Sequence, residues 1–198
     1  ILKDWKKRGN NQNGLEAAKI DLKLFTGEID EARSALKKAA GKMNDGDIER
    51  LNLLMAELDG DEAAQMSILE KKANKNTNKT HELMNMAQAQ WWSGHYEKAR
   101  EYASEALVQL EEVIPGEKRY AALYRGRRAM VLAILGRFDE AIAELEAVYK
   151  LPLCQSCNYC SCKDAEIFRA NIEEVRSNWL KALELHSSGM ERWPDDLD

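Results

Sequence analysis

The chain has 198 residues, 44% of them apolar and 32% charged, with 3 Pro, 7% aromatic residues and a net charge of −5. The acidic total argues against the basic face that nucleic-acid binding needs, and charges interrupt every apolar stretch well short of a membrane span. Abundant Ala, Leu, Glu and Lys with so little Pro predict a helical protein.

The chain begins Ile1-Leu2-Lys3, without an initiator Met. This is the start expected of a fragment or processed form, so any targeting segment would lie upstream of this sequence. Residues 1–13 are polar and Asn-rich around Trp5 and are expected to be an N-terminal remnant or flexible end. From Gly14 the pattern turns helical, with Leu15, Ala18, Ile20, Leu22 and Phe25 on one broad face. Gly27 closes that helix, because Gly takes the left-handed conformation at no steric cost. A second helix, 28–40, carries Ile29, Ala32, Leu36 and Ala39.

Asn44-Asp45-Gly46 reads as a turn, with Asp47 as N-cap of a helix holding Ile48, Leu51, Leu54, Met55 and Leu58. Its partner, 61–73, holds Ala63, Ala64, Met66, Ile68 and Leu69. Asn78 or Thr80 is expected to cap the next helix (Leu83, Met84, Met86, Ala87, Trp91), which stops at Ser93-Gly94. A helix from Tyr96 to about 112 follows, and Pro115-Gly116 breaks it. Helices at 117–135 and 138–150 come next. After an aperiodic segment, 153–163, Asp164 is expected to cap a ninth helix, and Trp179 opens a tenth.

The joints between paired helices share an outline: Gly, two residues on an aromatic or aliphatic residue, and three further on Ala. It stands as Gly27-Glu28-Ile29-Asp30-Glu31-Ala32, Gly94-His95-Tyr96-Glu97-Lys98-Ala99 and Gly136-Arg137-Phe138-Asp139-Glu140-Ala141. Ser177-Asn178-Trp179-Leu180-Lys181-Ala182 is a looser copy, and Gly60-Asp61-Glu62-Ala63-Ala64-Gln65 keeps only the Gly. The anchors at 27, 60, 94, 136 and 177 are spaced by 33, 34, 42 and 41 residues. Seven residues before them stand Ile20, Leu53, Ala87, Ala129 and Ala170, and five after them Ala32, Gln65, Ala99, Ala141 and Ala182. Small residues in phase let neighbouring helices cross closely. The rival reading is an ordinary helical bundle in which the outline recurs by chance; the in-phase small residues weigh against it.

This pattern resembles the tetratricopeptide repeat, a helix-turn-helix unit with a typical period of 34. The third and fourth units match well, the first and fifth fairly and the second poorly, and the family's Trp and Leu-Gly positions early in the first helix are mostly absent. The longer gaps imply longer helices or an inserted loop. The resemblance implies an all-α solenoid of antiparallel helix pairs in a right-handed superhelix over 14–198. It also implies a non-enzymatic role, binding a peptide or partner protein on an inner face lined by first helices. The implied partner-binding residues are Arg50 in the second unit, His81, Met84, Gln88 and Trp91 in the third, and Asn171 in the fifth. Trp91 and Trp92 have an alternative reading, one ring in the core and the other over a neighbouring helix. The family's carboxylate clamp is not supported, since Ala17 and Asp21 stand at its positions in the first unit. The basic run Lys118, Arg119, Arg125, Arg127 and Arg128 suits either an acidic peptide or a solvated helix face.

All four cysteines, Cys154, Cys157, Cys160 and Cys162, fall in the loop 153–163 with the spacing C-x2-C-x2-C-x-C. Thiolates brought together at low entropic cost suit zinc or an iron–sulfur cluster. Four ligands in nine residues strain a mononuclear tetrahedron, so three thiolates and an outside group fit better. Disulfides, or a reduced thiol-rich loop, are the other readings. Clustering rather than wide spacing is what a reducing compartment favours, and the expected location is cytoplasmic. His81, His95 and His186 are scattered, and no phosphate-cradling Gly-rich loop occurs, so no catalytic constellation is expected.

Overall fold

The structure, a computed structural model, describes residues 12–76, 78–116, 120–150 and 161–192. Ten α-helices account for most of them. They are α1 (Gln12–Phe25), α2 (Ile29–Ala39), α3 (Asp45–Asp59), α4 (Glu62–Lys75), α5 (Thr80–Trp92), α6 (Tyr96–Val113), α7 (Ala121–Ile134), α8 (Phe138–Tyr149), α9 (Ser161–Val175) and α10 (Trp179–Arg192). Short 3-10 turns follow α2 (Ala40–Lys42) and α6 (Ile114–Gly116). None of the described helices is long and apolar enough to cross a membrane.

The joints explain the pairing. Gly27, Gly60, Gly94 and Gly136 all have φ between 64° and 80°, and Ser177 follows with φ 60°. At each joint two backbone hydrogen bonds close the first helix. At the third, Gly94 N donates to Trp91 O at 3.0 Å and His95 N to Gln90 O at 2.8 Å. At the fifth, Ser177 N donates to Glu174 O and Asn178 N to Glu173 O, both at 2.8 Å. These bonds satisfy carbonyls that a bare helix end would orphan. One residue later the next helix begins: Ala99, Ala141 and Ala182 donate to the carbonyls of His95, Arg137 and Asn178. The same alanines, with Ala87, Ala129 and Ala170 on the first helices, are buried. At the degraded second joint Gln65 replaces the Ala, and its Nε2 donates to Ala56 O at 3.2 Å.

The chain divides into two compact units, residues 1–68 and 69–198, and α4 runs across the boundary. In the first, α1, α2 and α3 pack together around Ala17, Ile20, Ala32, Leu36, Ala39, Met43, Leu51 and Met55. In the second, α5–α6, α7–α8 and α9–α10 pack as antiparallel pairs, and α6 and α8 each pack on the first helix of the following pair. The first helices also pack side by side, α5 on α7 and α7 on α9. Helix α7 therefore has neighbours all round, and every residue from Ala129 to Ile134 is fully buried. A helix apolar on all sides is the sequence signature of that position.

Several boundaries differ from expectation. Asn44, not Asp47, caps α3, its side chain accepting from Asp47 N at 2.8 Å. Asp164 lies inside α9, which starts three residues earlier, at Ser161. Lys79, without a side-chain capping bond, precedes α5, and Asn78, two residues before the helix, accepts from Thr80 N at 3.1 Å and Thr80 Oγ1 at 2.7 Å. In α1 Leu15, Ala17 and Ile20 are buried, as expected for Leu15 and Ile20, with Leu24 packed beside Ala17 and Ile20, whereas Leu22 and Phe25 are exposed. The i, i+3, i+7 row from Ala17 faces α2 and α3, and Leu22 and Phe25 fall off it.

Candidate functional site

Helix α5 carries four of the six expected partner-binding residues. Met84 is only 5% exposed and lies in the core of the second unit, so it presents no surface. Gln88, four residues on, is half-buried, and its amide has no hydrogen bond among the described residues. Trp91 packs partly against the core and meets Tyr96 edge-on, with centroids 4.8 Å apart. Trp92 turns outward against Trp179 of α10, with centroids 6.2 Å apart. One ring thus packs half-buried against the core and the other lies against a second helix.

His81 stands in the first turn of α5, with Nε2 3.3 Å from Asn85 Nδ2. Its Nδ1 is buried without a hydrogen-bond partner among the described residues. Burial pushes the imidazole below its ordinary value, Arg127 and Lys72 push it the same way, and Glu82 opposes them. Glu82 is buried; Oε1 accepts from Asn76 Nδ2 at 2.9 Å, and Oε2 has no partner among the described residues. Around it Asn78 Nδ2 donates to Tyr124 Oη at 3.2 Å and Lys79 N to Gln109 Oε1 at 3.2 Å, so polar contacts tie the start of α5 to α6 and α7.

The remaining two residues lie apart from this group in the chain. Asn171 on α9 is half-buried, and like Gln88 it has no hydrogen bond among the described residues. Both stand six residues before their joints, at 94 and 177; Met130 occupies the same phase on α7 and is fully buried. Arg50, in the first unit, is already engaged: Nη1 and Nη2 donate to Asp21 Oδ1 and Oδ2 at 2.9 and 2.7 Å.

The basic run on α7 is also engaged. Arg125 and Arg128 both donate to Glu144 of α8, Arg125 at 2.9 Å, and Arg128 reaches Glu111 of α6 at 3.4 Å. Arg127 lies over the Tyr124 ring, 5.5 Å from its centroid. Lys118 and Arg119 lie outside the described residues.

Cys154, Cys157 and Cys160 lie outside the described residues, and Cys162 falls in the first turn of α9. Among the described residues no group of three or more His, Cys, Asp or Glu side chains converges as a metal site would. The three histidines are not brought together: His81 opens α5, His95 is exposed at the third joint, and His186 on α10 meets Glu174 Oε1 of α9 at 3.0 Å. His186 thus makes a polar contact between paired helices. Sequence reasoning missed the Trp92–Trp179 pair, although Trp179 occupies the recurrent aromatic position. It also missed buried Glu82, because a charged residue in a first helical turn ordinarily signals solvent.

No family model and no curated protein matches this chain. Two solved structures are similar to it, both described as kinesin light chain nearly identical TPR-like repeats from Podosopora anserina, one a point variant of the other. The variant is 13% identical over 91% of this chain and 94% of its own, with a TM-score of 0.48. The other is 14% identical over 89% and 92%, with a TM-score of 0.47. The chain's own five left-handed joints, with a buried alanine in phase after four of them, make it a tetratricopeptide-like helical repeat.

Proposed function

We propose that the chain is a non-enzymatic interaction module that holds an extended peptide segment of a partner protein on the first helices of its third and fifth pairs. One observation carries this reading. Gln88 and Asn171 share a phase, are half-buried, and leave their amides without hydrogen bonds among the described residues. Native proteins satisfy such groups with water or a ligand. A carboxamide offers one donor and one acceptor group, which match the N–H and C=O of a peptide unit. Trp91 adds apolar area beside Gln88, His81 adds a neutral ring nitrogen, and Met84 supports them from beneath. Arg50 would reach a partner only by exchanging Asp21 for a partner carboxylate.

The test is a set of peptides selected from a displayed random library against the full chain, with affinities measured again on Gln88→Ala and Asn171→Ala. Each substitution should weaken binding about tenfold, the value of roughly 1–1.5 kcal/mol for a hydrogen bond, with melting unchanged. Peptides that bind both variants as tightly as the parent would sink the proposal.

A second reading, a metal- or redox-responsive protein acting through Cys154, Cys157, Cys160 and Cys162, is favoured by the cysteine spacing. Elemental analysis and a thiol count on anaerobically purified protein separate the two. Stoichiometric zinc, or iron with a charge-transfer band, would support the cysteine loop as the active part. Four free thiols without metal would favour the interaction module and a reducing, cytoplasmic location.

A further inference from the structure

The residue two after the joint is aromatic in the last three pairs: Tyr96, Phe138 and Trp179. Each opens the second helix of its pair, so the three stand at equivalent places in the array. The middle one is occupied. The Arg176 guanidinium lies over the Phe138 ring, 5.3 Å from its centroid, while also facing Glu173 at 3.6 Å. The outer two hold no cation among the described residues: Tyr96, edge-on to Trp91, is 50% exposed and Trp179 58%, and Trp92, 45% exposed, lies against Trp179 at a tilt of 46°. Exposed Trp and Tyr grouped in this way are typical anchors of an interface.

Charge indicates the occupant. Helices α6 and α8 carry nine carboxylates against two cations, Lys98 and Arg100. Glu97, Glu101, Glu105, Glu112, Asp139 and Glu146 have no ion-pair partner among the described residues. Glu97 directly follows Tyr96. A cation reaching the Tyr96 ring therefore meets a π face beside uncompensated negative charge, whereas at Trp179 the paired rings of Trp92 and Trp179 supply the contact. Arginine suits this better than lysine, because its planar, weakly hydrated guanidinium stacks on a ring. The molecule already makes that contact at the middle position.

We propose that Tyr96, Trp92 and Trp179 form a docking surface for an arginine-bearing segment of a partner protein. Tyr96 touches Trp91 of the peptide face, so Gln88→Ala and Trp179→Leu, which do not share that contact, separate the failure of one site from that of the other. The probe is a synthetic peptide carrying three arginines, with a citrulline twin that keeps the shape and loses the charge. Both are titrated against the full chain at low salt by calorimetry. The arginine peptide should bind, weaken as salt is added, and exceed its twin at least tenfold. Trp179→Leu and Tyr96→Leu should each weaken it roughly fivefold at unchanged helicity, the scale of an exposed cation–π contact, and Gln88→Ala should leave it unchanged. Equal binding of the two peptides would overturn the proposal, as would no binding at millimolar peptide. Binding that survives both leucine substitutions would place the peptide on the carboxylates alone and also overturn it. Self-association of the chain that is lost in Trp179→Leu would make the occupant a second copy, against the proposal.

Discussion

Ser177 holds a left-handed backbone that its four counterparts reach as glycine. For a residue with a Cβ that conformation costs about 1–2 kcal/mol. Glycine recovers it but loses about 0.4–1 kcal/mol through a freer unfolded chain. Ser177→Gly should therefore gain about 0.5–1 kcal/mol in urea unfolding, and a variant no more stable than the parent would show that the serine is unstrained. His81 supplies a pH-dependent counterpart. Its folded pKa lies below the unfolded value near 6.5, so folding favours the neutral ring. The stability that depends on this ring is complete above that pH and is lost as the pH falls through the folded value. Wild type should lose more stability between pH 7 and pH 5 than His81→Gln, measured as the shift in urea midpoint. Parallel pH profiles would mean that His81 does not sense its buried surroundings.

Helix α7 shows how one element organises its neighbours. Its N-terminal half is tied down by Arg125 and Arg128 through Glu144, and its C-terminal half is apolar on every side. Between the two arginines Gly126 is buried, and a Cβ there would overlap the Phe168 ring of α9. The close approach, not backbone freedom, explains this glycine. Gly126→Ala sets an overpacking cost of about 1–3 kcal/mol against about 1 kcal/mol of helix propensity. A net loss of stability is expected, with part of it returned when Phe168→Leu is added. A double-mutant cycle reads the coupling, and additive losses, or a stabilised Gly126→Ala, would contradict the wedge.

At the scale of the molecule, the five joints and ten helices were legible from composition and phase alone. The αL requirement at each joint and the small residues around it are local rules, and even Ser177 obeyed the pattern that its neighbours announced. The candidate face was less legible. Spacing from the joints named Gln88 and Asn171 as inner-face positions, and both are half-buried residues of first helices, yet the same spacing included Met84, which is in the core. Phase reports which way a side chain leaves its own helix. It does not report which other helix stands there.

That distinction separates the two sources of information about this protein. The sequence alone specified where helices stop, turn and restart, because those events depend on residues within a few positions of each other. Tertiary structure decided which surfaces remain open: it enclosed the end of α7, engaged Arg50 with Asp21, seated Arg176 on Phe138 and left Tyr96 and Trp179 half-exposed. Exposure is settled by contacts between helices distant in the chain, and no periodicity within one helix encodes them.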